Sequence, residues 1–188
     1  MNIFSLIKNR ILQYRHSFNA PLQQIIEKGV LLTATVLAKE NRSRSRLNAL
    51  YEVEFGVYSQ WGEDGIIDWL IERLPDIPHT FIEFGVEDYQ ESNTRLLLKM
   101  RNWSGFLIDG SQKNIDEIKK QGIYWRHELT AKCAFIDRDN INNLIESAGL
   151  VGEIGLLSVD IDGNDYWVWQ AIEVVSPAIV VCEYNAVL

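Results

Sequence analysis

From residue 59 onward the chain alternates. Short apolar runs rich in β-branched residues are each separated from the next by a stretch of helical periodicity. Strands are predicted over residues 80–84, 105–108, about 131–136, 154–159 and 178–182. Between them lie predicted helices over about 91–101 and 112–121. A third begins at a cap on Asp137 and closes at Gly149, and a fourth covers about 165–175, ended by Pro177. A further helix over 63–74, with Ile66, Ile67, Leu70, Ile71 and Leu74 on one face, precedes the first strand and stops at Pro75. This order predicts an α/β fold: an open, doubly wound parallel sheet of Rossmann-like type with helices on both faces.

The first 50 residues are different in kind. They carry eight lysines and arginines against two acids, a net +6, whereas the remainder carries 10 basic and 24 acidic residues, a net −14. The head is predicted as two helices. One has Ile3, Phe4, Leu6, Ile7, Ile11, Leu12 and Tyr14 in an apolar stripe, and the other is opened by Pro21 and runs over 22–39. Residues 41–46, Asn-Arg-Ser-Arg-Ser-Arg, read as a solvated linker. The division is thus a basic helical extension over 1–50 and an α/β domain over 51–188. The extension is expected to pack on the body or on a second copy in a homo-oligomer. Its alternative role is peripheral contact with an anionic membrane surface. No nucleic-acid motif is present. No apolar run reaches bilayer length, no cleavable leader is evident, and two cysteines cannot build a disulfide framework. The expected location is therefore cytoplasmic or membrane-peripheral.

In sheets of this kind ligands bind beyond the carboxyl ends of the strands, where strand order reverses. Every predicted strand here ends in a carboxylate: Glu83, Asp109, Asp137, Asp160 and Glu183. The first strand runs into Glu83-Phe84-Gly85, without the later glycines of a dinucleotide turn, and no phosphate-binding P-loop occurs. An acid such as Asp109 at the end of the next strand can accept ribose hydroxyl protons. Asp137 reads as a helix cap, or as a group reaching an adenine amine. The densest run is Asp160-Ile161-Asp162-Gly163-Asn164-Asp165. Its like charge calls for a metal, a ligand or cationic neighbours unless the turn is simply solvated. It is not an EF-hand, since its glycine falls too early and Ala171 stands where the distal glutamate belongs. His16, His79 and His127 are too dispersed for a metal set. Ser158 lacks the elbow of a hydrolase nucleophile, and Cys133 and Cys182 read as buried strand residues.

Three pieces of the chain together resemble the FkbM-type branch of the class I S-adenosylmethionine-dependent methyltransferases. They are Ser59-Gln60-Trp61-Gly62-Glu63-Asp64-Gly65, the segment 81–93, and 159–166 with the later Val181-Cys182-Glu183-Tyr184-Asn185. The resemblance covers about residues 58–188. It implies that Glu83 and Gly85 line the methionine end of the cofactor, that Asp109 holds the ribose, and that Asp137 lies near the adenine. Asp160 would sit beside the methionine moiety or the transferred methyl, and Gln60 and Asp64 would help close the pocket.

The implied activity is O-methylation of a sugar, a polysaccharide precursor or another hydroxylated metabolite. Asp162 or Glu183 would accept the hydroxyl proton, or a divalent cation held by Asp160, Asp162 and Glu183 would acidify that hydroxyl. Two departures stand out. Tyr89 occupies the place of the family's second turn glycine, so that residues 87–89 are expected to build a different lid. The helix and antiparallel strand pair that follow strand 5 in the family are expected to be missing. A metal-dependent glycosyltransferase using Asp160-Ile161-Asp162 and a non-catalytic, truncated methyltransferase-like module are the competing readings.

Overall fold

The computed structural model describes residues 3–183, with residues 3–20 described as helix backbone alone. Five strands form one parallel sheet: β1 (Thr80–Phe84), β2 (Ser104–Asp109), β3 (Leu129–Cys133), β4 (Gly152–Val159) and β5 (Val175–Cys182). Their spatial order is β3-β2-β1-β4-β5. The chain therefore winds outward from β1 in one direction, then returns to place β4 on the other side of β1. The fold is the predicted α/β, Rossmann-like arrangement with an N-terminal helix.

Alternating residues along each strand feed two cores. Phe81, Leu107 and Leu156 pack beneath α2 (Glu63–Ile71), α3 (Arg95–Arg101), α4 (Gln112–Lys120) and the short α5 (Gly122–Arg126). Ile82, Phe106, Ile108 and Leu157 face α6 (Ile141–Glu146) and α7 (Asp165–Ala171). Strands apolar on both faces are what a sheet covered on both sides requires.

Several predicted boundaries move. Strand 3 ends at Cys133 rather than near 136, because its partner β2 ends at Asp109, which pairs with Cys133. The helix predicted from 91 begins only at Arg95. Ser92 and Thr94 spend their hydroxyls on the Glu83 carboxylate and so hold the preceding residues in a loop. The helix predicted over 165–175 stops at Ala171, and β5 starts at Val175 with Pro177 inside it. Proline is tolerated there because β5 is an edge strand. Helix α5 lies in the stretch between the helix predicted over 112–121 and β3, where no element is predicted.

The head is one continuous helix, α1 (Ile3–Arg42), with Pro21 inside it rather than two helices. One proline removes a single backbone bond, and long helical stretches flank it on both sides. The first predicted stripe, over residues 3–14, lies outside the residues whose side chains are described. The C-terminal half of α1 packs on α2 through the small buried residues Ala34 and Ala38. The expected solvated linker is not free: Asn41 is buried and donates to the Val53 carbonyl at 2.9 Å, Arg42 pairs with Glu72 at 3.2 Å, and the Arg44 carbonyl accepts from Trp69 at 3.2 Å. No described helix is long and apolar enough to cross a membrane.

Candidate active site

The carboxyl ends of β1, β2, β4 and β5, together with the segment after β3, enclose a cleft of about 930 Å³. That is ample for a nucleoside-sized ligand. It opens where β1 and β4 diverge, at the reversal of strand order. Eight carboxylates line it: Glu63, Glu83, Glu87, Glu91, Asp109, Asp160, Asp162 and Glu183. Among the described residues no lysine, arginine or histidine does.

Glu83 closes the floor. It is buried, and its carboxylate accepts from Ser92 Oγ at 2.6 Å, from the Asn93 N–H at 2.9 Å and from the Thr94 hydroxyl. Burial pushes its carboxyl above the usual range, opposed by these bonds. Glu83 thus organises the loop after β1, while Asn93 reaches across to Ser158 Oγ at 3.1 Å.

Gly85 is fixed by packing. It has φ 70°, and a Cβ there would come within 1.7 Å of the Asp160 carbonyl oxygen. The β1 and β4 turns can touch only because this residue has no side chain. Tyr89 keeps the glycine-like backbone of the position it occupies, with φ 62°. Its ring is buried rather than hung over the cleft, and its hydroxyl lies 3.0 Å from Thr94 Oγ1. It is a core residue and not a lid.

Asp109, at the end of β2, is buried with its oxygens facing three donors: the Glu87 N–H at 2.9 Å, the Ser111 N–H at 2.8 Å and Asn114 Nδ2 at 3.0 Å. One oxygen takes a single bond, from Glu87, which leaves it able to accept from a ligand hydroxyl. Beside it Gly110 lies against the ring of Phe135, which is 85% exposed and forms an apolar wall with Ile108 and Ile136. The wall suits a flat heterocycle.

The β4 turn gathers the remaining charge. Asp165 is buried and receives the N–H groups of Ile161, at 2.8 Å, and Gly163, at 3.0 Å. These bonds tie the turn to the start of α7. Asp162 adopts φ 53°, is exposed, and lies in the cleft lining. The carboxyl of Asp160 is pushed up to about 6 by burial and by the charges of Glu183, Asp165 and Asp162. Asp160, Asp165 and Glu183 bring ligand atoms within 4.8 Å of one another and could hold a divalent cation. The expected trio contained Asp162 in place of Asp165.

Of the residues singled out from sequence, Gln60, Glu83, Gly85, Asp109, Asp160, Asp162 and Glu183 converge on the cleft. Asp64 and Asp137 do not line it. One Asp64 oxygen takes the backbone N–H groups of Val57, Tyr58 and Ser59, at 2.7, 2.7 and 2.9 Å, and so shapes the loop that carries Gln60 to the cleft edge. Asp137 is exposed and accepts from the N–H groups of Asp139 and Asn140, which closes the turn before α6; the helix itself has Asn140 as its N-cap, with no side-chain cap bond. His127 precedes β3 and His79 precedes β1, at the opposite end of the sheet. Cys133 and Cys182 are free and half-buried. Sequence reasoning passed over Glu63, Glu87, Glu91 and Phe135. The first three lie inside the motifs quoted above, and Glu87 and Glu91 were legible as charge after β1; nothing in the sequence marked Phe135.

No family model matches the chain, and neither curated proteins nor solved structures give a match.

Proposed function

We propose that the protein is an S-adenosylmethionine-dependent methyltransferase of the FkbM-type class, acting on a hydroxyl of a sugar, a polysaccharide precursor or a related metabolite. The observation that carries this reading is the charge of the cleft: eight carboxylates and, among the described residues, no basic side chain at the switch point of a Rossmann-like sheet. A dinucleotide or nucleotide sugar brings phosphate, which such a wall repels. A nucleoside that carries a sulfonium and an ammonium is attracted to it.

The residues fit that group. Asp109 would take the ribose hydroxyls, Phe135 and Ile136 would cover the base, and the Glu83–Gly85 turn would border the methionine end. The bound group supplies an electrophilic methyl on sulfur. The protein's own part is to orient the acceptor hydroxyl in line with that methyl and to keep water out. Asp162 or Glu183, both lining the cleft, would receive the proton that the hydroxyl gives up. The Asp160 carboxyl beside them is raised to about 6 by burial and by the neighbouring acids.

Isothermal titration tests the reading. S-adenosylmethionine should bind, its neutral demethylated thioether should bind more weakly, and Asp109→Ala should abolish both. A metal-dependent glycosyltransferase is the second reading, favoured by the grouping of Asp160, Asp165 and Glu183. Manganese-dependent binding of a nucleotide sugar, with none of the methyl donor, would replace the first reading with the second.

A further inference from the structure

Helix α1 shows the solvent a face it does not need for folding. In its described half, Glu27, Ala34, Ala38 and Asn41 face the body. Glu27 pairs with Lys99 and accepts from the Tyr58 hydroxyl at 2.6 Å. About half a turn away, Leu22, Ile25, Leu32 and Val36 share a second face at helical spacing, each 58–69% exposed, with Ile26 and Val30, 56% and 40% exposed, between it and the body. The large apolar residues are thus outside and the small ones inside, the reverse of a helix whose only task is to pack on its own domain. Along the edge of this stripe lie Lys28 and Lys39, both exposed. The sequence before Glu27 adds Lys8, Arg10 and Arg15 and has no acid at all.

We propose that α1 lies on an anionic lipid surface with this stripe in the acyl boundary and its lysines among the headgroups. Charge decides between this occupant and a second copy of the chain. Paired in parallel, two such helices would set Lys8, Arg10 and Arg15 against their own copies, with no acid in the first 26 residues to offset them. An anionic bilayer answers both the apolar stripe and the basic edge. The helix is 40 residues long, or about 60 Å, and it would lie along the surface rather than cross it.

The test is co-sedimentation of the full chain with vesicles of phosphatidylcholine containing about a third phosphatidylserine, and with vesicles of phosphatidylcholine alone. We expect binding to the first, weakened by added salt, and little to the second. The triple variant Ile25→Gln, Leu32→Gln, Val36→Gln should reduce binding at least about tenfold. Lys28→Gln and Lys39→Gln should each reduce it about fivefold. These side chains are exposed, so an unchanged melting temperature shows that the variants stay folded. Failure to sediment with anionic vesicles overturns the proposal. So does a dimer by light scattering that the triple variant dissolves while vesicles go unbound, which would assign the stripe to a second copy.

Discussion

The acids at the two ends of the molecule are treated in opposite ways. Where α1, α2 and α3 meet, Asp68, Glu72 and Glu27 each have a cationic partner. Asp68 accepts from Arg101 Nε at 3.1 Å, Glu72 pairs with Arg101 and with Arg42, and Glu27 pairs with Lys99. At the carboxyl ends of the strands, eight acids line one cleft, with no basic side chain beside them among the described residues. Pairing at the first end makes charge part of the scaffold. Leaving charge unpaired at the second costs stability, and such a cost is tolerated where a ligand recovers it.

If the rim is not held by ion pairs, its shape must come from backbone packing, and the largest effect should follow from disturbing that packing. Gly85→Ala places a Cβ where the Asp160 carbonyl stands and does so at φ 70°. A loss of about 3 kcal/mol or more in chemical denaturation is expected, with the cleft distorted. A loss under about 0.5 kcal/mol would mean that the β1 and β4 turns are not locked together.

The paired end should fail by a different route. Asp68 is 3% exposed and gathers Arg101 and Arg42. Asp68→Asn keeps the shape but leaves Arg101 half compensated. A loss of about 2 kcal/mol is expected, measured from the denaturant midpoint at constant slope. High salt should do little to rescue it, since the pair is shielded from solvent.

How much of this contrast the sequence disclosed depends on the distance over which each feature is set. The five strands were readable because their apolar runs are local, and the acids Glu83, Asp109 and Asp160 were readable because they end those runs. The true start of α3 was not, since Ser92 and Thr94 turn away from helix to serve a carboxylate that lies earlier in the chain. The end of β3 depends on where β2 stops. Asp165 displaced Asp162 from the tight acidic group because Asp162 and Gly163 both take left-handed backbone, which folds the turn back on itself. Asp64 looked like a pocket residue, yet its carboxylate faces three backbone N–H groups that no spacing rule reveals. The continuity of α1 through Pro21 ran against local preference altogether.

Removing charge from the rim should stabilise the protein, against the usual direction of mutation. The Asp160 carboxyl is raised to about 6, so the folded state holds its proton more tightly than the unfolded state does. That advantage is full at low pH and is lost as pH rises through about 6. Asp160→Asn should therefore melt higher than the parent at pH 8, by about 2–3 °C once solvent screening is allowed for, and the gain should shrink toward pH 4. A lower melting temperature at pH 8 would mean that Asp160 already has a compensating partner.

Glu27→Gln supplies the mirror image and the smallest effect. Burial pushes the Glu27 carboxyl up, but the bonds from Lys99 and Tyr58, with the charges of Lys99 and Arg95, outweigh it and leave the carboxyl lowered. A lowered carboxyl stabilises the folded state above its unfolded value, and that stability is lost as pH falls through the folded one. The residue is only partly covered, so the loss at pH 7 should be about 1–2 °C, fading below about pH 4. The two substitutions remove the same charge, yet their melting curves should separate from the parent in opposite directions at neutral pH and converge on it in acid. If both shifts had the same sign, the division between a paired end and an unpaired rim would be wrong at one of these two residues. The pH at which each shift vanishes would then show which one.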